Sequence, residues 1–331
     1  MRMAPLHHPY ELDRRGVKRQ GVLLNFDGGY ADLHPWPELG DSGLPDLLRH
    51  LAEGNYGFSP LLGRAFLLAE VDREARQSKV SLLAKTMVPE SHAYLGDLRT
   101  FLEKEERAAW IERLAREGFG KVKVKLRLSD ADLQAREFEK LARLCLAHAL
   151  KLRVDFNGSG STATVERFLR ALSTSTLDAI DFVEDPFARS ELARLGGADD
   201  VARLQQALEI HFALDWFKDL PSEGFDVLVL KPAREAPEPF LESAHADIRR
   251  IVFTDSLAHP LDSVASAWSA ASAFSRHPLL IDECGLLSYR AYQTNAFSEA
   301  LSWEGPRFRA PPGTGFGFDE LFSQLPWKPL P

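Results

Sequence analysis

The pattern that most narrows the folds open to this 331-residue chain is an alternation that begins near residue 90. Eight short apolar runs recur from there: "SHAYLGD", "KVKVKL", "LRVDFNG", "IDFVEDP", "HFALDWF", "FDVLVLKPA", "IVFTDS" and "LLIDECG". Between most of them lie stretches such as "LEKEERAAWIERLAREG", "DADLQAREFEKLARLCLAHAL" and "TATVERFLRALSTS", with apolar residues three and four apart as in an amphipathic helix. Strands alternating with helices make right-handed βαβ units and a parallel sheet, and eight such units close a barrel. The predicted fold class is α/β, a (β/α)8-type TIM barrel over residues 91–290. The crossover before "FDVLVLKPA" is short, so its helix is expected to shrink to a turn.

Residues 1–90 read differently: a polar, turn-rich start, the Gly/Pro-rich "GGYADLHPWPELGDSG", then helical "LPDLLRHLAEG" and "SPLLGRAFLLAEVDREAR". They are expected to form an N-terminal α+β capping domain. Residues 291–331, with "GPRFRAPPGTGFGF", show little periodicity and are expected to pack as an irregular tail on barrel and cap.

The formal net charge of −8 argues against a nucleic-acid surface, which needs a clustered basic footprint. Cys145 and Cys284 are too few for a disulfide framework and have no CxxC spacing for zinc. The opening "MRMAPLHHPYELDRR" lacks the apolar core of a secretory signal, and no run approaches a membrane span. A cytoplasmic protein with a small-molecule partner, and no nucleic-acid or membrane partner, is the expectation.

In such a barrel the reactive groups lie where the strands end, which makes Lys121, Lys123, Asp155, Glu184, Asp215, Lys231 and the Asp255/Ser256 pair the residues to weigh. "GKVKVKLRL" sets Lys121, Lys123, Lys125 and Arg127 on one face of a strand and Val122, Val124, Leu126 and Leu128 on the other. A solvated edge strand explains that cationic face as well as a site does. Asp155, Glu184 and Asp215 close three successive runs about thirty residues apart, so neighbouring strands would aim three carboxylates at one place. Each has an innocent reading as a turn or cap residue. Three together would repel one another unless a cation neutralises them, and all-oxygen ligation suits Mg²⁺, with Mn²⁺ as a substitute.

The order KxK, D-x-N, V-E-D-P, a strand-end Asp and "LKP" resembles the enolase superfamily, and within its muconate-lactonizing subgroup it is most similar to o-succinylbenzoate synthases. The resemblance covers Lys121 to Lys231 well and the capping region loosely, where "GYADLHPWPELGD" is similar to the family's substrate-covering loop. It implies Asp155, Glu184 and Asp215 as Mg²⁺ ligands, Lys123 as catalytic base, Lys121 as its neighbour and Lys231 facing it across the site. Lys125 adds a beat that the family pattern does not require, so a shift of two residues stays open.

The activity so implied is a hydro-lyase, o-succinylbenzoate synthase. It dehydrates 2-succinyl-6-hydroxy-2,4-cyclohexadiene-1-carboxylate in menaquinone biosynthesis, with proton abstraction next to a carboxylate. Asn157, Thr254, Asp255 and Ser256, with Lys121, are the candidate substrate contacts, although a polar strand-end turn explains the last three equally. The chain departs from the family at Trp216, where many relatives carry a carboxylate, and in "VFTDSLAHPLDS". His34 and His259 have no partner nameable from sequence. An N-acylamino acid racemase or dipeptide epimerase is the nearest rival, although "IDECG" stands where an epimerase usually has D-x-D. A non-catalytic barrel is the rival from another class.

Overall fold

A computed structural model describes residues 4–194, 198–216, 224–242 and 248–331. Strands β1 (Leu6–Arg14) and β2 (Val17–Phe26) form a hairpin whose two turn residues, Arg15 and Gly16, have φ of 54° and 82°. That left-handed pair matches the twist of antiparallel strands. Strand β3 (Gly29–Leu33) pairs with β2, and Lys328–Pro329 pairs with β1, making a four-stranded antiparallel sheet. Helices α1 (Leu44–Ala52) and α2 (Pro60–Gln77) cover it, with Val22, Leu24 and Leu33 packed on Leu47, Leu51 and Leu62. Ser59 caps α2 by accepting from the Leu62 amide. At Gly29 an added Cβ would stand 2.1 Å from the Ala69 carbonyl oxygen, so glycine lets α2 lie against β3.

The start of the chain is thus a strand rather than the expected run of turns. Only Leu12 of β1 is fully buried, so its residues lack the apolar alternation that marks a strand. The Gly/Pro-rich segment divides: Gly29–Leu33 is buried strand, and the loop proper begins at His34.

Seven parallel strands follow in ring order: β4 (Ala93–Asp97), β5 (Lys121–Lys125), β6 (Lys151–Asp155), β7 (Ile180–Glu184), β8 (Phe212–Leu214), β9 (Val227–Leu230) and β10 (Arg250–Phe253). The eighth run is too short for a named strand, but it closes the ring. Ile281 and Gly285 bridge Ile251 and Thr254 on one side, and Cys284 bridges Ser91 on the other. The Gly285 amide donates to Phe253 O and the His92 amide to Cys284 O, each at 2.8 Å. The fold is α/β, a (β/α)8 barrel with an N-terminal α+β cap.

Outward residues of the strands, such as Val122, Val124, Leu152 and Val154, pack on helix residues Phe138, Leu141 and Phe168. Inside the barrel, Phe182, Ala213, Val227, Val229 and Val252 fill one half. The helix expected over 102–118 is two, Leu98–Leu102 and Arg107–Arg116, while Ala131–Leu146 runs unbroken from its Asp130 cap. The crossover expected to be a turn before "FDVLVLKPA", and Phe217 of the fifth run, lie outside the described residues. Among the described residues no helix is long and apolar enough to cross a membrane.

Cap, barrel and tail are tied by buried polar contacts. Arg64 Nε donates to Pro232 O at 2.8 Å, and the Arg234 guanidinium donates to Asp41 at 2.6 Å. Asp72 on α2 accepts from the amides of Tyr30 and Phe316, and Arg76 pairs with Asp319 of the tail.

Candidate active site

A cavity of about 490 Å³ opens at the ends of the barrel strands beneath the cap. Lys123, Lys125, Asp155, Asn157, Asp215, Lys231, Thr254, Asp255 and Ser256 line it, with Arg14, Arg15, Arg19, Trp36, Glu38 and Leu39 overhanging from the cap. Strand alternation puts Lys121, Lys123 and Lys125 all inward on β5, at increasing height.

Two predicted site residues are absent from the cavity lining: Glu184, which is buried just behind it against Lys123, and Lys121, which lies elsewhere. The Lys121 ammonium lies 2.8 Å from Asp282 and 3.3 Å from Asp181, in an ion cluster at the barrel floor with Arg153 and Arg250. The reason is height: Lys121 begins its strand, and the cavity lies at the strand's end. The cavity's inward pair is therefore Lys123 and Lys125. Lys123 Nζ contacts Glu184 Oε1 at 2.5 Å and Asp155 Oδ2 at 3.2 Å, while Lys125 Nζ contacts the same Asp155 oxygen at 3.3 Å and donates to Asn157 Oδ1 at 2.8 Å.

The three acids stand where successive strands end, and all are buried. Asp155 spends one oxygen on the Asn157 amide at 2.9 Å, the turn contact that sequence allowed, and turns the other to the lysines. Asp215 is paired with Lys231, whose ammonium also lies 4.3 Å above the Trp216 ring. Trp216 thus offers an aromatic face to that cation.

Asp185, the residue after Glu184 in "VEDP", proves to be the support of this row. In a left-handed conformation with φ of 42°, it accepts from the amides of Asp215 at 2.9 Å and Trp216 at 3.3 Å and so fixes the end of the next strand. Its place as the Asp of the V-E-D-P motif was its signal in the sequence.

Four buried carboxylates thus face three ammonium groups. Burial, reinforced by Asp155 and Asp215, pushes Glu184 up to about 8, and burial with the same neighbouring acids pushes Asp185 to about 7. Burial opposes charge on Asp155 as well, but Lys123 and Lys125 overcome it and hold that acid below its usual range. Burial also disfavours the Lys123 ammonium, and Asp155, Glu184 and Asp215 outweigh it and raise its pKa. An all-oxygen set of four carboxylates fits a hard divalent cation, whose charge would favour their ionised forms. Among the described residues no three ligands are already drawn to metal distances, because lysine ammonium groups contact the acids instead.

On the far side, Thr254 and Ser256 face the cavity. Asp255 lines it too, yet its carboxylate accepts from Ser263 Oγ at 2.7 Å and the Ser288 amide at 3.1 Å and clamps the seventh strand to the eighth. The two histidines acquire partners: His34 Nδ1 bonds Tyr10 Oη at 3.0 Å, and His259 Nδ1 caps the helix Pro260–Arg276 through the Leu261 amide.

Residues 7–75 match the family model described as O-succinylbenzoate synthase, N-terminal domain. An o-succinylbenzoate synthase of Bdellovibrio bacteriovorus is 31% identical over 94% of this chain and 92% of its own length. The chain belongs to the o-succinylbenzoate synthase family. It is accordingly an enzyme, a lyase. Solved structures at lower identity share its fold. A mandelate racemase/muconate lactonizing protein from Herpetosiphon aurantiacus has a TM-score of 0.73 at 16% identity, covering 96% of this chain and 97% of its own. The muconate lactonizing enzyme of Pseudomonas fluorescens with muconolactone has a TM-score of 0.71 at 16% identity, covering 96% and 95%.

Proposed function

We propose that the chain catalyses the Mg²⁺-dependent syn-dehydration of 2-succinyl-6-hydroxy-2,4-cyclohexadiene-1-carboxylate to o-succinylbenzoate, a cytoplasmic step of menaquinone biosynthesis. The observation that carries it is the placement of three strand-end acids between lysines of the second and sixth strands, which face each other across an eight-strand ring. Family membership supplies the substrate.

Asp155, Glu184 and Asp215 would hold the metal, which when bound supplies a Lewis acid for the substrate carboxylate and neutralises the acids that otherwise keep the lysines charged. Lys125 serves as the base, two residues from the Lys123 that the motif alone suggested. Lys123 is level with the acids and bonded to two of them, whereas the Lys125 side chain is 33% exposed to the cavity and stands at its strand end, as Lys231 does. Lys125 takes the proton next to the carboxylate and returns it to the hydroxyl leaving from the same face. Lys231 stabilises the negative charge developed between these steps, and Lys123, so close to Lys125, disfavours a second ammonium there. Asn157 orients Lys125, and Thr254 and Ser256 meet the rest of the substrate.

The test is product formation from the cyclohexadiene with Mg²⁺ and with excess chelator, beside α-proton exchange of N-acylamino acids in deuterated water. Chelator-sensitive o-succinylbenzoate formation is expected. Exchange into both enantiomers without dehydration would transfer the function to a racemase.

A further inference from the structure

His92 is 4% exposed, and its ring lines the cavity from the position immediately before the first barrel strand. Arg153, wholly buried, puts two hydrogens of one terminal nitrogen to use. One goes to the Glu283 carbonyl oxygen at 2.8 Å and one to His92 Nδ1 at 2.9 Å. A guanidinium only donates, so Nδ1 must be the acceptor, and a neutral ring then carries its hydrogen on Nε2. Burial, with Arg153, Lys123 and Lys121 nearby, keeps the ring neutral by holding its pKa well below the ordinary histidine range. Among the described residues nothing accepts from Nε2.

Two neighbours shape the space beside that nitrogen. A Cβ at position 285 would lie 2.6 Å from His92 Cε1, 2.9 Å from Nε2 and 2.8 Å from Thr254 Cγ2, so only glycine leaves the notch open. Thr254 Oγ1, also buried, has no hydrogen-bond partner among the described residues. A fixed N–H and a free hydroxyl thus flank one glycine at strands seven, eight and one. In an eight-strand ring those are opposite strands three, four and five, which carry the acids.

We infer that His92 is a tautomer-locked hydrogen-bond donor to a substrate oxygen, with Thr254 Oγ1 beside it and Arg153 as the positioning residue that fixes the ring. Resting on the proposed dehydration, the oxygen belongs to the succinyl side chain, the part directed away from the carboxylate at the acids. A neutral donor and a hydroxyl suit its keto oxygen, where a cation would bind a carboxylate more strongly.

Two measurements test this. Long-range ¹⁵N NMR of the imidazole should show the Nε2–H tautomer unchanged from pH 6 to 9, and adding o-succinylbenzoate should shift that N–H. An Nδ1–H tautomer, a ring that titrates in that window, or an N–H that ignores the bound product would overturn the assignment. Separately, His92→Phe, which keeps a ring and loses the donor, should lower kcat/KM by about 10- to 100-fold, mostly through KM, with Mg²⁺ affinity unchanged. His92→Gln, able to accept from Arg153 and donate forward, should recover part of that loss at a similar melting temperature. Parental turnover in His92→Phe would refute the donor role. A parent protein that makes no o-succinylbenzoate, yet shows the locked N–H shifting on its addition, would overturn the dehydration and keep the donor.

Discussion

Lys123 Nζ lies 2.5 Å from Glu184 Oε1, and both side chains are buried two strands apart in the same ring. That pairing sets Lys123 at the height of the acids, with Lys125 one inward step nearer the mouth. Two lysines of one motif thereby acquire different work.

The two are separable by substitution. Lys125→Ala should lower kcat by ~10²–10⁴ or more while Mg²⁺ still binds. Lys123→Ala removes an ammonium that competes for Asp155 and Glu184, so it should change apparent Mg²⁺ affinity as well as rate. Calorimetric titration of the metal beside steady-state kinetics distinguishes them. An active Lys125→Ala next to a dead Lys123→Ala of parental metal affinity would return the base to Lys123.

Asp215→Asn should weaken Mg²⁺ binding at least tenfold and leave the far-ultraviolet dichroism unchanged, because the packed barrel builds the site and does not depend on it. Excess chelator should abolish turnover in the parent, and Mg²⁺ or Mn²⁺ should restore it. A variant that unfolds would recast Asp215 as a structural partner of Lys231.

Lys121 predicts the opposite kind of effect. Removing it from Asp181 and Asp282 leaves those acids to Arg153 and Arg250, so Lys121→Ala should cost on the order of 1–3 kcal/mol of stability by urea titration. Its kcat should stay within a few-fold of the parent. A severe loss of kcat at parental stability would place Lys121 back in the chemistry.

These contrasts show where the sequence was legible. Asp155, Glu184, Asp215 and Lys231 each close an apolar run, and a period-two pattern carries that position directly. Height along a strand is not carried so: Lys121, Lys123 and Lys125 repeat identically, and only pairing with Asp155 on the next strand ranks them. Strand β1 escaped because only Leu12 of it is buried, so neither of its faces imposes an apolar alternation on the sequence. His92 and Arg153 escaped because their partnership spans 61 residues and neither belongs to a motif.

The cap loop should act on binding. Trp36 is held by its amide bond to Asp41 at 2.6 Å and by the Arg19 guanidinium 4.3 Å from its ring, and with Leu39 it overhangs the cavity. Replacing residues 36–39 by a glycine-serine loop should raise KM about tenfold or more while shifting the melting temperature little. Unchanged KM would mean that the loop does not cover bound substrate.

The last prediction concerns the seam between cap and barrel, where Asp32 accepts from Tyr10 Oη at 2.5 Å and from the His259 backbone, and lies near Asp262. Burial pushes Asp32 up to about 7, against the pull of the Tyr10 bond. In the unfolded chain an aspartic acid releases its proton near pH 4, so between about pH 4 and 7 the folded protein holds a proton that the unfolded one has lost. A raised carboxyl pKa therefore stabilises fully below that window, and its contribution fades as pH rises through 7. Asp32→Asn keeps an acceptor for Tyr10 without the titration, so its stability should decline less from pH 5 to 8 than the parent's. Urea unfolding of both proteins across that range, each with the same Mg²⁺, removes the contribution of the site acids from the comparison. Parallel pH curves would show that Asp32 stays ionised in the fold and that Asp262, which burial raises too, carries whatever slope the seam has.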